Sequence, residues 1–61
     1  MTDSERELLR LLAEGLPPDI IARRMFISAR TLRRHIRALC DRVGVQTAIQ
    51  AVAWAARHQV L

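Results

Sequence analysis

Two interruptions, at residues 15–18 and at Gly44, divide this chain of 61 residues into short helical segments. The first contains a glycine and two consecutive prolines, and the second is a lone glycine after a long amphipathic stretch. Proline cannot sit inside a regular helix, and glycine commonly ends one. Leu, Ile, Val and Ala fill the segments between, and only Phe26 and Trp54 are aromatic. The pattern predicts a single small all-α domain rather than a sheet.

Capping residues set the boundaries of four predicted helices. Thr2 or Ser4 begins the first helix, because each precedes a glutamate by three residues, the spacing of a capping box. Thr47 stands in the same relation to Gln50 at the start of the fourth helix, and Ser28 precedes the third. The prediction is therefore a four-helix bundle with helices over about residues 3–14, 18–25, 28–43 and 47–58.

The third predicted helix has one apolar face and one basic face. At about 100° per residue, four apolar side chains fall within about 60° of one another and should pack on the domain: Leu32, Ile36, Leu39 and Val43. Four arginines spread over about 100° on the opposite side: Arg30, Arg33, Arg34 and Arg37. Like charges one turn apart repel, and a helix face that meets only water usually mixes signs. The alternative is an ordinary solvated face, but the single sign favours contact with a polyanion.

A short helix, a tight apolar turn at Phe26 and Ile27, and a longer basic helix together form the pattern of a helix-turn-helix. In that motif the second helix enters the major groove of DNA N-terminus first. Ser28 lies at the leading end, where free backbone N–H groups can also hold a phosphate. Arg24, at the end of the second helix, is a further candidate contact to the DNA backbone. All ten basic residues are arginines, which suit two-pronged contacts to phosphate or guanine.

The order and spacing of these segments resemble the LuxR-type (GerE-type) helix-turn-helix domain of bacterial transcription regulators, a family that includes response regulators. The similar segments are ERELLRLLAEGL (5–16), IARRMFIS (21–28), TLRRHIRALCDRVGV (31–45) and QAVAWA (50–55). The resemblance covers essentially the whole chain. It implies that residues 1–61 form one sequence-specific domain for double-stranded DNA, which can be the C-terminal part of a longer regulator.

The resemblance also implies a set of contacts to DNA. Arg33, Arg34 and Arg37 fall where the family reads base edges and nearby phosphates. Thr31 and Ser28 fall where it contacts the DNA backbone near the start of the recognition helix.

Apolar residues surround the fourth predicted helix on nearly every side. Because so small a domain can cover only one side, we expect Ala51, Val52 and Ala55 to face the core. The apolar residues left for a second surface are Ile49, Ala53, Trp54 and Ala56. Tryptophan is common in interface hot spots, and the resemblance implies a homodimer through this helix. The alternative is that Trp54 lies across the domain's own surface.

No pattern in the sequence supports catalysis or a cofactor. The single Cys40 excludes an internal disulfide, and only His35 and His58 accompany it, too few for a four-ligand zinc site. A structural role is expected for His35. The chain has no nucleophile–base pair and no glycine-rich phosphate loop. We expect no enzyme activity, no cofactor, no metal and no small-molecule ligand within this domain.

The N-terminus and the hydropathy bear on location. The first residues are acidic and polar, unlike a signal peptide, and no apolar run approaches the length of about 18 residues that a membrane span needs. A cytoplasmic, nucleoid-associated protein without membrane contact is expected. The rival hypothesis is a small helical protein–protein interaction module, in which the apolar fourth helix binds a protein and the arginines meet an acidic surface.

Overall fold

The computed structural model describes all 61 residues, and its only regular elements are four α-helices. They are α1 (Asp3–Ala13), α2 (Pro18–Arg24), α3 (Ala29–Val43) and α4 (Ala48–Arg57). The all-α prediction is confirmed, and every boundary lies within one residue of the predicted one. The differences at the start of α3 and α4 arise because Ser28 and Thr47 have extended backbone angles and cap the helices from outside.

Two capping boxes hold the first turns of α1 and α4. At α1, Thr2 Oγ1 accepts from the backbone N–H of Glu5 over 3.1 Å, and Glu5 Oε1 accepts from the backbone N–H of Thr2 over 2.9 Å. Ser4, the alternative cap, lies inside α1. At α4, Thr47 and Gln50 exchange the same pair of bonds over 3.1 and 3.2 Å. Each box satisfies N–H groups that the helix itself leaves free.

The predicted breaks act through backbone conformation. Gly15 and Gly44 have φ angles of +79° and +78°, in the left-handed region that glycine adopts without a Cβ clash. Pro17 immediately precedes α2 without a side-chain capping bond, and Pro18 is its first residue, where the missing N–H has no intrahelical partner to lose. The chain therefore changes direction after α1 and again after α3.

The core is entirely apolar and takes residues from all four helices. Its ten buried residues are Leu8, Leu9, Leu11, Ile21, Ala22, Leu32, Leu39, Cys40, Ala51 and Ala55. Helix α1 packs on α4, and α2 packs on α3, which also contacts α4. Ala51 and Ala55 are buried in the core as predicted, whereas Val52, which was also expected to face the core, is only half-buried. This packing fixes α3 along one side and leaves its opposite side in solvent.

An ion pair ties the beginning of α1 to the end of α3. Arg42 Nη1 donates to Glu5 Oε2 over 2.8 Å, across 37 residues of sequence. The other carboxylate oxygen of Glu5 serves the cap at Thr2. The pKa of Glu5 is lowered, chiefly by the hydrogen bond from the Thr2 backbone, with smaller contributions from the Thr2 hydroxyl and from the charges of Arg42 and the N-terminus. Desolvation opposes these effects without reversing them.

The lowered pKa of Glu5 predicts acid sensitivity. A group with a depressed folded pKa stabilises the fold above its unfolded pKa, here about 4.5, and that stabilisation is lost as the pH falls through the folded value. We expect the free energy of unfolding of the wild type to fall more steeply below about pH 4.5 than that of Glu5→Gln. Urea denaturation of both proteins between neutral pH and about pH 3 measures this. Parallel curves for the two proteins would contradict the assignment.

Candidate nucleic-acid interface

The two faces of α3 separate as the sequence predicted. Leu32 and Leu39 are buried, and Ile36 and Val43 are half-buried against the core. The side chains on the opposite side are all exposed: Arg30, Arg33, Arg34 and Arg37. The helix therefore carries four guanidinium groups on a surface that the rest of the domain leaves open.

Most of the arginines have no acidic partner in the fold. Arg6, Arg10 and Arg42 form ion pairs, all with carboxylates of residues 3–14. The arginines without an ion pair are Arg23, Arg24, Arg30, Arg33, Arg34, Arg37 and Arg57. Residues 1–19 hold five of the six acidic residues, and residues 20–61 hold eight arginines and one acid, Asp41. The domain is thus polarised, with the positive charge concentrated on α2 and α3.

The leading end of α3 is fixed by two hydroxyl groups. Ser28 Oγ accepts from the backbone N–H of Thr31 over 3.0 Å and donates to Thr31 Oγ1 over 3.0 Å. The backbone N–H groups of Ala29 and Arg30 lie in the first turn, where a helix offers them no internal acceptor. The positive end of the helix dipole and these free donors lie beside the arginine face, an arrangement suited to an anion.

The turn between α2 and α3 places α2 beside this end. Arg24 is the last residue of α2, and its side chain is exposed. The predicted tight apolar turn divides into two environments: Ile27 packs against the core, whereas Phe26 is 94% exposed. Phe26 also has a φ angle of +59°. Sequence reasoning did not foresee its exposure, because an apolar pair between two helices ordinarily indicates burial.

The four residues of α4 that were expected to form a second surface lie on two different sides of the helix. Ile49 is 82% exposed, and Ala53 and Ala56 are also exposed, one and two turns further along the same side. Trp54 lies elsewhere on the helix: it is half-buried, packs on the core, and stacks on His58 with ring centroids 4.4 Å apart. Trp54 therefore covers the domain's own surface, which was the alternative position for this residue.

The remaining titratable residues form no compact cluster. His35 is exposed in an open groove beside the first turn of α1, and Cys40 is buried. Burial raises the pKa of the Cys40 thiol, and the charge of Asp41 adds to the effect. No group of three or more His, Cys, Asp or Glu side chains is placed to hold a metal ion. None of the helices combines the length and the apolar character required to cross a membrane.

The known proteins that this chain resembles are bacterial regulators. Residues 1–55 match the luxR family of bacterial regulatory proteins (GerE). The chain is 30% identical over 60 residues to the nitrate/nitrite response regulator protein NarL of Escherichia coli, covering 98% of this chain and 28% of that protein. It is 40% identical over 55 residues to the DNA-binding transcriptional activator DevR/DosR of Mycobacterium tuberculosis, covering 90% of this chain and 25% of that protein.

A third relative, the CsgBAC operon transcriptional regulatory protein of Escherichia coli, is 38% identical over 55 residues, 90% of this chain and 26% of that protein. The chain thus spans about a quarter of the length of these relatives. The family comprises DNA-binding transcription regulators, so the prediction that this domain binds DNA rather than catalyses a reaction is confirmed. The chain belongs to the LuxR family of bacterial regulatory proteins and is a DNA-binding domain of a transcription regulator.

Proposed function

We propose that this domain binds double-stranded DNA sequence-specifically by placing α3 in the major groove, N-terminus first. Arg33, Arg34 and Arg37 would contact base edges and nearby phosphates. The contacts to the DNA backbone would come from two arginines and two hydroxyl groups beside the turn: Arg24, Arg30, Ser28 and Thr31. Binding to chromosomal DNA would also hold the protein at the nucleoid.

The observation that carries this proposal is the unpaired arginine face of α3. Four exposed guanidinium groups within two turns repel one another, and no carboxylate of the domain neutralises them. A duplex relieves that repulsion, and release of its counterions favours the complex. Arginine can also take both acceptors of guanine in the major groove at once, which supplies sequence discrimination.

The test is selection from a pool of random duplexes. The purified domain is incubated with the pool at moderate salt, and the bound fraction is sequenced. An enriched motif supports sequence-specific binding, and its symmetry reports whether one or two copies bind. Binding without enrichment would reduce the arginine face to a non-specific phosphate contact. Absence of binding would favour the rival hypothesis of a protein-interaction module.

We further propose that α4 pairs with a second copy of the chain. The stripe formed by Ile49, Ala53 and Ala56 adjoins an apolar groove between α1 and α4, lined partly by Leu12 and Val52. An isoleucine that is 82% exposed beside such a groove is suited to a self-complementary contact. Two copies joined in this way would present two recognition helices to a roughly palindromic site.

Ile49→Asp tests the proposed dimer. Each copy would lose about 1.5–3 kcal/mol of side-chain burial, so the dimer dissociation constant should rise about a hundredfold or more. Sedimentation velocity over a concentration series measures this change. Gln46→Asp is the matched control, because it makes the same change in charge at an exposed residue outside the stripe. Equal dissociation constants for the two variants would contradict the proposed interface.

A further inference from the structure

Phe26 is in an unfavourable position in the free domain for two independent reasons. Its side chain is 94% exposed, so the phenyl ring stands in water. Its φ angle is +59°, in the left-handed region where a side chain meets the following carbonyl group. A bulky residue in this conformation is an uncommon finding that calls for a reason outside local folding.

The turn requires the backbone conformation but not the ring. The backbone N–H of Ile27 donates to the carbonyl of Ala22 over 3.0 Å, and that of Phe26 donates to the carbonyl of Arg23 over 3.2 Å. These bonds define a Schellman motif, whose left-handed residue is usually glycine. The chain uses glycine at the left-handed residues after α1 and α3, and the polar Gln59 at the one after α4. A phenyl ring at the corresponding place after α2 therefore adds strain and contributes no burial.

The surroundings of Phe26 indicate what covers the ring. Arg23 and Arg24 precede it, and neither has an acidic partner in the fold. Ser28, the cap at the leading end of α3, is two residues away, a separation of at most about 7 Å along the chain. The ring thus lies in the chain between two arginines without an ion pair and the N-terminus of the basic helix α3. A ligand suited to this place has a negatively charged backbone and an apolar group near those charges.

We infer that Phe26 is a DNA contact from outside the recognition helix, with its ring packed on the C5-methyl group of a thymine at the edge of the site. The inference rests on the proposed function, because the ring reaches a base only if α3 enters the major groove. The thymine methyl is the apolar group exposed in that groove, and phenylalanine is among the residues that contact it. The two backbone hydrogen bonds of the Schellman motif hold Phe26 in this strained conformation in the free domain, so the ring is placed for the contact before DNA binds.

Phe26→Gly separates this role from a structural one, because it should raise the stability of the fold and lower the affinity for DNA. Removing the strain should raise the folding equilibrium constant about threefold or more. Losing the apolar contact should lower the affinity for the duplex selected by the wild type about fourfold, the fold-change that corresponds to burial of one methyl group. Urea denaturation measures the first quantity, and fluorescence anisotropy with the labelled duplex measures the second.

Replacing each thymine of that duplex by deoxyuridine, one at a time, identifies the methyl group. The wild type should lose about fourfold in affinity at one position, and Phe26→Gly should lose nothing further there. Phe26→Asn, which tolerates the left-handed backbone without the ring, should match Phe26→Gly in both affinity measurements. Loss with glycine but not with asparagine would assign the effect to chain flexibility and overturn the inference.

Gln59→Gly is the matched control. Gln59 is the other non-glycine residue with a left-handed backbone, at +57°, and it follows α4, outside the proposed interface. This variant should gain stability in the same way and bind the duplex as the wild type does. The inference would be overturned if Phe26→Gly bound the selected duplex as tightly as the wild type. It would also be overturned if Phe26→Gly weakened binding by the same factor on the thymine duplex and on every deoxyuridine duplex. If the wild type selects no motif, the proposed function fails; if Arg37→Ala weakens binding and Phe26→Gly does not, only the inference fails.

Discussion

Arg37→Ala should weaken binding to the selected duplex about 5- to 150-fold and weaken binding to random DNA much less. Arg37 is exposed, has no acidic partner in the fold, and is the last of the four arginines of the arginine face along α3. A two-pronged contact to guanine discriminates by about 1–3 kcal/mol, and that discrimination disappears with the side chain. Anisotropy titrations of both duplexes at one fixed salt concentration give the two ratios.

The salt dependence separates a base contact from a phosphate contact at the same residue. Neutralisation of one phosphate contributes about −0.9 to the slope of log affinity against log salt concentration. Arg37→Ala should therefore leave the slope nearly unchanged, whereas Arg24→Ala should make it shallower by about one. Equal losses on the selected and random duplexes, together with a shallower slope, would show that Arg37 contacts only phosphate.

Arg10→Ala is the charge-matched control for both variants. Arg10 lies on α1, outside the proposed interface, and donates to Glu7 over 2.7 Å and to Glu14 over 3.0 Å. The variant removes the same single positive charge as Arg37→Ala and Arg24→Ala do. If Arg10→Ala weakened binding as much as Arg37→Ala, the domain's net charge rather than the arginine face would explain the affinity.

The features of the fold that the sequence predicted are those set within one or two helical turns. Proline and glycine placed the breaks after α1 and after α3, and Thr47 with Gln50 placed the start of α4, because each acts on backbone groups at most a few residues away. The two-faced character of α3 followed from its helical period alone. The ion pair between Glu5 and Arg42 could not be predicted, because it depends on how α1 and α3 lie against each other across 37 residues.

The two residues that the structure places differently show the same limit. A full helical projection separates Trp54 from Ile49 by about 140°, so one apolar surface could not include both. Which of the two faced the domain depended on the packing of α4 against α1 and α3. The left-handed conformation of Phe26 could not be predicted from the residue type, because phenylalanine does not favour it. The one indication is Ile27 after it, since an apolar residue commonly follows the left-handed position in a Schellman motif.

Leu32→Ala should leave the free domain largely unfolded. Leu32 is fully buried and is the first residue of the apolar face of α3. Truncation of a buried leucine costs about 2–5 kcal/mol, and a core in a domain of this size rarely supplies more than about 3–5 kcal/mol. The melting temperature should fall by roughly 10 °C or more. Leu32→Met, which nearly conserves volume, should cost less than about 1.5 kcal/mol, and equal melting temperatures for the two variants would contradict the packing.

The same variant tests whether the arginine face depends on the core beneath it. In Leu32→Ala the four arginines remain, but only the folded fraction presents them on one side of a helix. Affinity for selected and random duplexes should therefore fall by the same factor, in contrast to Arg37→Ala. Because DNA binds the folded state, saturating duplex should raise the melting temperature of Leu32→Ala by mass action. If the unfolded variant bound the selected duplex as tightly as the wild type, recognition would lie in the arginine content of the chain and not in the helix that α1, α2 and α4 support.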